Sequence, residues 1–306
     1  MMYILLIVGF FFLIKGADYF VEGSAAIAHL LKVPTVVIGL TIVAMGTSAP
    51  EAAVSITAGL AGSNGLALSN VIGSNLFNLV LIVGVCAVIR PFIIDKNIMK
   101  RDFPVAILGS VILLFFIRDL YISRMEGLFL LSCMALYLIV TVISAIKNPV
   151  EMDMEDRPLP MHTSLIYIVL GLVGIILGGN LVVDNACAIA AAFGLSETLI
   201  GLTIVAVGTS LPELVTSITA SKKGESGLAL GNVVGSNIFN IMFILGLSTS
   251  IHPIAADPVA LVDILILIVS TTLIYIFCRI RSKMGRFMGT ACIVAYAAYA
   301  IYIILR

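Results

Sequence analysis

Apolar residues come in long blocks along this chain, separated by short polar breaks. The blocks lie at 3–22, 34–59, 66–89, 103–118, 126–146, 164–183, 196–220, 227–250, 260–278 and 288–305. A helix that spans a bilayer needs roughly 20 mostly apolar residues, so each block predicts one transmembrane helix. That makes ten, of which the fourth is the shortest. The one long polar run, KNPVEMDMEDRPLPMH at 147–162, divides the chain in half. The expected organisation is an all-α integral membrane protein, with helices 1–5 in residues 1–146, a linker at 147–162 and helices 6–10 in residues 163–306.

Composition supports a bilayer as the solvent. Of 306 residues, 61% are hydrophobic and 11% charged, against about 25% charged in a typical soluble domain. Mean hydropathy is +1.19. The formal net charge is zero, and no basic footprint for nucleic acid is present. The first block contains Lys15 and Asp18 and lacks the charged leader and small-residue cleavage site of a secretory signal, so it is expected to be retained as a helix. Lys15 and Asp18, three residues apart, read as a local ion pair or snorkelling groups.

Basic residues set an orientation. With the N-terminus outside, the inner loops hold Lys32, Arg90, Lys96, Lys100, Arg101, Lys147, Arg157, Lys222, Lys223, Arg279, Arg281, Lys283 and Arg286, which is 13 of the 17 Lys and Arg residues. Arg118, Arg124 and Arg306 fall outside. The positive-inside rule therefore places both termini on the extracellular side of the cell membrane.

The two halves are copies. Residues 38–84 align without gaps to residues 162 positions later, with 30 of 47 identical. GLTIVAMGTSAPEAAVSITA and GLALSNVIGSNLFN in the first half become GLTIVAVGTSLPELVTSITA and GLALGNVVGSNIFN in the second. Five helices per copy is an odd number, so the second copy enters the membrane from the opposite face. Two inverted five-helix repeats place a substrate site near the midplane, where the repeats meet.

The repeated segments carry polar residues that a membrane does not admit as filler. Glu51 and Glu213 fall mid-block, where a charged group costs at least about 2.5 kcal/mol. Ala44, Thr47, Ser48 and Glu51 share one helical face, as do Ala206, Thr209, Ser210 and Glu213. Pro50 and Pro212, with Gly46 and Gly208, are expected to break each helix near Thr47-Ser48 and Thr209-Ser210 and to free carbonyls near Ala44, Thr47, Ala206 and Thr209. In the following helix of each copy, Asn70, Ser74 and Asn78 form a stripe mirrored by Asn232, Ser236 and Asn240, while Asn75 and Asn237 lie off it and suit helix–helix packing. Carboxylates, hydroxyls, amides and carbonyls together make a hard, oxygen-only donor set suited to Ca2+ and Na+.

Other residues add little chemistry. Cys86, Cys133, Cys187, Cys278 and Cys292 are scattered through apolar stretches, with no paired spacing. His29, His162 and His252 are far apart in sequence. The acidic residues of the linker, Glu151, Asp153, Glu155 and Asp156, lack the turn glycine and closing Glu of an EF-hand loop. No Walker motif, nucleophile elbow or zinc signature appears, so an enzyme is not indicated. No cofactor and no obligate protein partner are called for.

The paired GTS-x-PE and GSN-x(2)-N segments resemble the alpha repeats of the cation/calcium exchanger superfamily, specifically its Na+/Ca2+ exchanger branch of prokaryotic type. The resemblance runs the length of the chain. It implies an antiporter that exchanges Na+ for Ca2+ by alternating access. It also implies Glu51 and Glu213 as calcium carboxylates helped by carbonyls of Thr47 and Thr209. Na+ sub-sites would draw on Ala44, Thr47, Ser48 and Ser74 and on Ala206, Thr209, Ser210 and Ser236, with Asn78 and Asn240 lining the centre. The first and sixth helices would slide across the rest.

Two departures matter. Asn240 stands where some family members, including K+-dependent ones, carry Asp, which argues against K+ dependence and leaves three Na+ one charge in excess of two glutamates. Gly231-Asn232 is followed by Val233-Val234-Gly235-Ser236 rather than by the Glu of proton-coupled exchangers. The alternatives are a proton-coupled exchanger of Ca2+ or another divalent cation and, from a different class, a channel.

Overall fold

The computed structural model describes residues 1–60, 64–147, 149, 159–194, 204 and 206–305. Most of the linker (148 and 150–158), the first part of the seventh block (196–203 and 205) and Arg306 lie outside the described residues.

The chain is helical almost throughout, because in hydrocarbon each backbone N–H and C=O must be satisfied within its own segment. Helix α1 is Met2–Leu31, α2 Thr35–Thr47, α3 Ala49–Leu60 and α4 Gly65–Ile89. Next come α5 (Phe103–Phe116), α6 (Arg124–Lys147), α7 (Met161–Ala192) and α8 (Ala206–Gly208). The last four are α9 (Leu211–Lys223), α10 (Ser226–Ile251), α11 (Pro258–Arg281) and α12 (Arg286–Leu305). Among the described residues, seven helices are long and apolar enough to cross a membrane, and α2 with α3, bent by 49°, makes an eighth. The fourth block forms a helix of 14 residues, and the seventh is described only in part.

Local chemistry explains the ends. Lys32 closes α1 in the left-handed conformation at φ 55, and Pro34 cannot continue it. Asp257 caps α11, its side chain accepting the Val259 N–H at 2.9 Å, and Pro258 takes the first turn, where no N–H is needed.

Burial separates a core from a ring. Of the most apolar stretch of each helix, 94% is buried in α10 and 72% in α4, against 11% in α12 and 28% in each of α6 and α7. The uncovered faces carry Phe11, Leu136, Leu170, Val269 and Leu305, an apolar surface that bilayer lipid covers. The broken helices α2–α3 and α8–α9 pack with α4 and α10 at the centre.

The contacts obey a two-fold exchange of the halves. Gly16 and Gly171 face each other across α1 and α7, each with the other's carbonyl 2.7 Å from where a Cβ would sit. Gly178 meets the Gly9 carbonyl at 2.7 Å and Gly23 meets that of Ser164 at 2.7 Å, so the ladder descends α7 as it climbs α1 and the two helices are antiparallel. Gly84 of α4 packs on Gly289 of α12, and their counterparts Gly246 of α10 and Gly127 of α6 do the same. Two short strand pairs, which the block pattern does not predict, follow the rule. In one, β1 (Phe92–Ile93) pairs antiparallel with β4 (Lys283–Met284); in the other, β2 (Tyr121–Ile122) pairs with β3 (Ile254–Ala255). Each pairing of residue i in one half with j in the other is matched by its reciprocal, the signature of a two-fold relation.

One ion-pair cluster among the described residues departs from the two-fold relation. Lys223 at the end of α9 reaches α1, donating to the Asp18 carbonyl at 3.1 Å and lying 3.4 Å from the Glu22 carboxylate and 3.8 Å from that of Asp18. Lys15 also lies 3.8 Å from Asp18. The counterparts of Asp18 and Glu22 in α7 are Asn180 and Asp184, and they line an open cleft.

Candidate cation site

Glu51 lies in the first turn of α3 and Glu213 in the first turn of α9, both fully buried. Helix N-termini present unpaired N–H groups and a partial positive charge, which favour a carboxylate there. The breaks behind them fall at Ser48 (φ −80, ψ 9) and Ser210 (φ −90, ψ 6). Pro50 and Pro212 supply the reason: neither can donate to the carbonyl four residues back, at Gly46 and Gly208.

The halves then reach across to each other. Ser48 Oγ donates to Glu213 Oε1 at 2.7 Å, and Ser210 Oγ donates to Glu51 Oε1 at 2.8 Å. Ser236 Oγ stands 3.0 Å from Ser48 Oγ and 3.5 Å from Glu213 Oε1. Ser74 Oγ stands 3.2 Å from Ser210 Oγ and 3.5 Å from Glu51 Oε1. All six side chains are buried. The result is one cluster of two carboxylates and four hydroxyls drawn from both repeats.

Each carboxylate spends one oxygen on serines and keeps the other bare. Glu51 Oε2, Glu213 Oε2, Asn78 Oδ1 and Asn240 Oδ1 are buried without a hydrogen-bond partner, as is Thr209 Oγ1. Buried polar atoms in folded proteins are nearly all paired, and an uncompensated buried carboxylate is strongly destabilising. Bare oxygens on two acids and two amides fit a cation that takes oxygen ligands. Asn78 and Asn240 lie on π-helical turns, Phe77–Ile82 and Asn240–Leu245, a distortion frequent at functional sites.

The remaining expected residues are placed as follows. Thr47 Oγ1 donates to Asn232 Oδ1 at 3.1 Å. The Ala44 carbonyl is not freed by the break, contrary to the sequence expectation: it accepts the Ser48 N–H at 3.0 Å and lies 3.5 Å from Thr47 Oγ1, because the first half-helix runs unbroken as far as Ser48. In the second copy the Ser210 N–H goes to Val207 at 3.2 Å, and Ala206 begins α8. Ser55 and Ser217, the partners of the stripe asparagines Asn70 and Asn232, were not singled out by sequence. Asn232 Nδ2 donates to Ser217 Oγ at 2.9 Å, and its twin Asn70 donates to Ser55 at 3.2 Å. The repetition of Ser55 as Ser217 at the common offset was the available signal.

Two clefts approach the cluster. One of about 310 Å³ passes between α7 and the breaks, lined by Asn180, Asp184, Pro50, Thr209 and Pro212. Another of about 160 Å³ reaches Asn70 and Ser74 past Tyr296 and Tyr299 of α12.

Fold and site define a multi-pass helical membrane protein of the transporter class, with a duplicated acidic centre. The family model described as "Sodium/calcium exchanger protein" matches residues 1–143 and 163–305, and the chain belongs to that family. It is 36% identical to the inner membrane protein YrbG of Escherichia coli (strain K12), covering 93% of this chain and 91% of the relative. It is 32% identical to the sodium/calcium exchanger MaX1 of Methanosarcina acetivorans, covering 98% and 97%. A solved structure of the sodium-calcium exchanger NCX_Mj, soaked with zero Na+ and Ca2+, superposes with a TM-score of 0.87 at 35% identity over 100% of this chain and 99% of that one. These relatives are exchangers and membrane proteins, not enzymes.

Proposed function

We propose that this protein is an antiporter that moves Ca2+ against a counter-flow of Na+ through the Glu51–Glu213 cluster, by alternating access between ten helices arranged as two inverted repeats. One observation carries the reading: both carboxylates keep one oxygen bare inside a buried cluster of hydroxyls and amides. Two glutamates balance one Ca2+, and the same oxygens serve Na+ in competition. Competition for shared ligands couples the ions, since one leaves before the other binds. Thr47, Ser48, Ser74, Thr209, Ser210 and Ser236 are the proposed sodium ligands beside the central pair, with a backbone oxygen at Ala206.

The test is calcium uptake into proteoliposomes loaded with Na+. Uptake that rises with the outward Na+ gradient and persists with pH clamped is the expected result. Uptake that follows a pH gradient and ignores Na+ replaces this reading with a proton-coupled exchanger. Because Asn240 adds no charge, the same vesicles decide stoichiometry: two Na+ per Ca2+ is electroneutral, whereas three make uptake respond to membrane potential.

With the orientation expected from the positive-inside rule, Lys223 and the linker face the cytoplasm, the cleft at Asp184 faces outward, and Lys223 is the proposed closure of the inner mouth against α1. Lys223→Ala is expected to loosen that closure, read as faster amide hydrogen exchange in the second half of Met2–Leu31 with the melting temperature little changed. Partly exposed ion pairs of this kind are worth at most about 1 kcal/mol. Unchanged exchange would remove Lys223 from the inner closure.

A further inference from the structure

The two asparagines that sequence assigns to packing do more than pack. Asn75 Nδ2 donates to the Asn237 carbonyl at 3.1 Å, and Asn237 Nδ2 donates to the Asn75 carbonyl at 3.0 Å. This reciprocal pair crosses from α4 to α10, with both side chains buried. Its consequence is orientational. An amide whose nitrogen is tied to a carbonyl must offer its oxygen the other way. Asn75 Oδ1 accepts the Asn240 Nδ2 donor at 3.1 Å. Asn240 thereby spends its nitrogen on Asn75 and turns a bare, fully buried oxygen elsewhere. The twin relay is open: Asn78 Nδ2 and Asn237 Oδ1, which the two-fold relation makes partners, are both buried and unpaired.

We infer that Asn75 and Asn237 are positioning residues that aim the amide oxygens of Asn240 and Asn78 at the transported cation and hold their N–H groups away from it. A carboxamide is two-faced, since rotation by half a turn presents a donor that repels a cation. Asp at the same position needs no such control, because both its oxygens accept. A site that uses Asn at its centre therefore needs a second amide fixing the first. In this structure the Asn240 relay is set and the Asn78 relay is unset. Cation binding, by drawing the Asn78 oxygen inward, would bring its nitrogen to Asn237. This inference rests on the exchange reading above.

The experiment is a double-mutant cycle on Na+-driven Ca2+ uptake. Asn75→Ala is expected to raise the Ca2+ KM by about 10–100-fold, the usual cost of losing an outer-sphere partner of a metal ligand, with a smaller change in the maximal rate. In the Asn240→Asp background the same substitution is expected to cost nothing or to improve KM, because the aspartate has no donor to park. Asn237→Ala should raise KM in the same manner and should be relieved by Asn78→Asp. An equal cost of Asn75→Ala in both backgrounds, or an unchanged KM, overturns the inference. If Asn75→Ala does not fold, Asn75→Ser, which keeps a polar group but cannot reach Asn240, gives the same comparison. A wild-type protein that shows no Na+-driven uptake overturns the exchange reading instead, before any variant is measured.

Discussion

Glu51→Gln and Glu213→Gln are each expected to abolish calcium exchange while leaving the protein folded and as heat-stable as wild type, or more so. The substitution keeps shape and removes one charge. A divalent ion in a fully buried site then faces one carboxylate in place of two, and removing one partner from a buried charge pair costs about 3–5 kcal/mol. At 1.4 kcal/mol per decade, that is roughly two to three and a half decades of affinity. Stability moves the other way because of the bare oxygens. Without a cation, the wild type buries two carboxylates whose Oε2 atoms have no partner, and an amide carries a smaller desolvation cost than an acid. Ser210 still donates to a Gln carbonyl at position 51, as it does to Glu51 Oε1 at 2.8 Å. The measurement pairs Na+-driven uptake with thermal melting in the absence of divalent ions. Near-normal uptake by either variant would sink the site, whereas lost uptake with a collapsed melting curve would mean only that the fold had failed.

The site was legible in the sequence because its chemistry is duplicated and local. Thr47, Ser48 and Glu51 lie within five residues of one another, their copies sit at a fixed offset, and proline beside the acid marks the break. What escaped depends on how distant helices cross. Asn75 falls off the polar stripe of its own helix, and its role appears only when α4 meets α10 closely enough for two side chains to exchange bonds with two carbonyls. The Lys223 contact with Asp18 joins residues 205 positions apart. The two strand pairs are two residues long, too short for any periodicity to show. The Ala44 carbonyl was mispredicted because sequence locates a proline break to about a turn, not to the residue at which the last N–H is donated.

The second large effect is expected at the α1–α7 ladder, where Gly171→Val should both destabilise the protein and stop transport. A Cβ at Gly171 would sit 2.5 Å from the Phe20 amide nitrogen and 2.7 Å from the Gly16 carbonyl. At Gly16 it would sit 2.6 Å from the Ile175 nitrogen, and at Gly178, 2.5 Å from that of Leu13. These neighbours are backbone, so no side chain can turn aside, and one helix must move off the other. Overpacking of this kind costs about 1–3 kcal/mol. Helices in lipid are held by close packing because hydrocarbon gives no hydrophobic drive between them, so separating the pair loses much of what joins it. Function is expected to suffer further because α7 carries Asn180 and Asp184 on the open cleft and α1 carries Asp18 and Glu22 at the contact with Lys223. A change in the spacing of the pair therefore shifts the cleft lining and the Lys223 contact together. Gly285→Ala is the control, since nothing lies within 4 Å of a Cβ built there; it should melt and transport like wild type. Gly178→Ala tests the ladder more gently, with a smaller loss of melting temperature and slowed uptake. If Gly171→Val matched the Gly285→Ala control in both measurements, the close approach of α1 and α7 would have no part in either the stability or the transport of this protein.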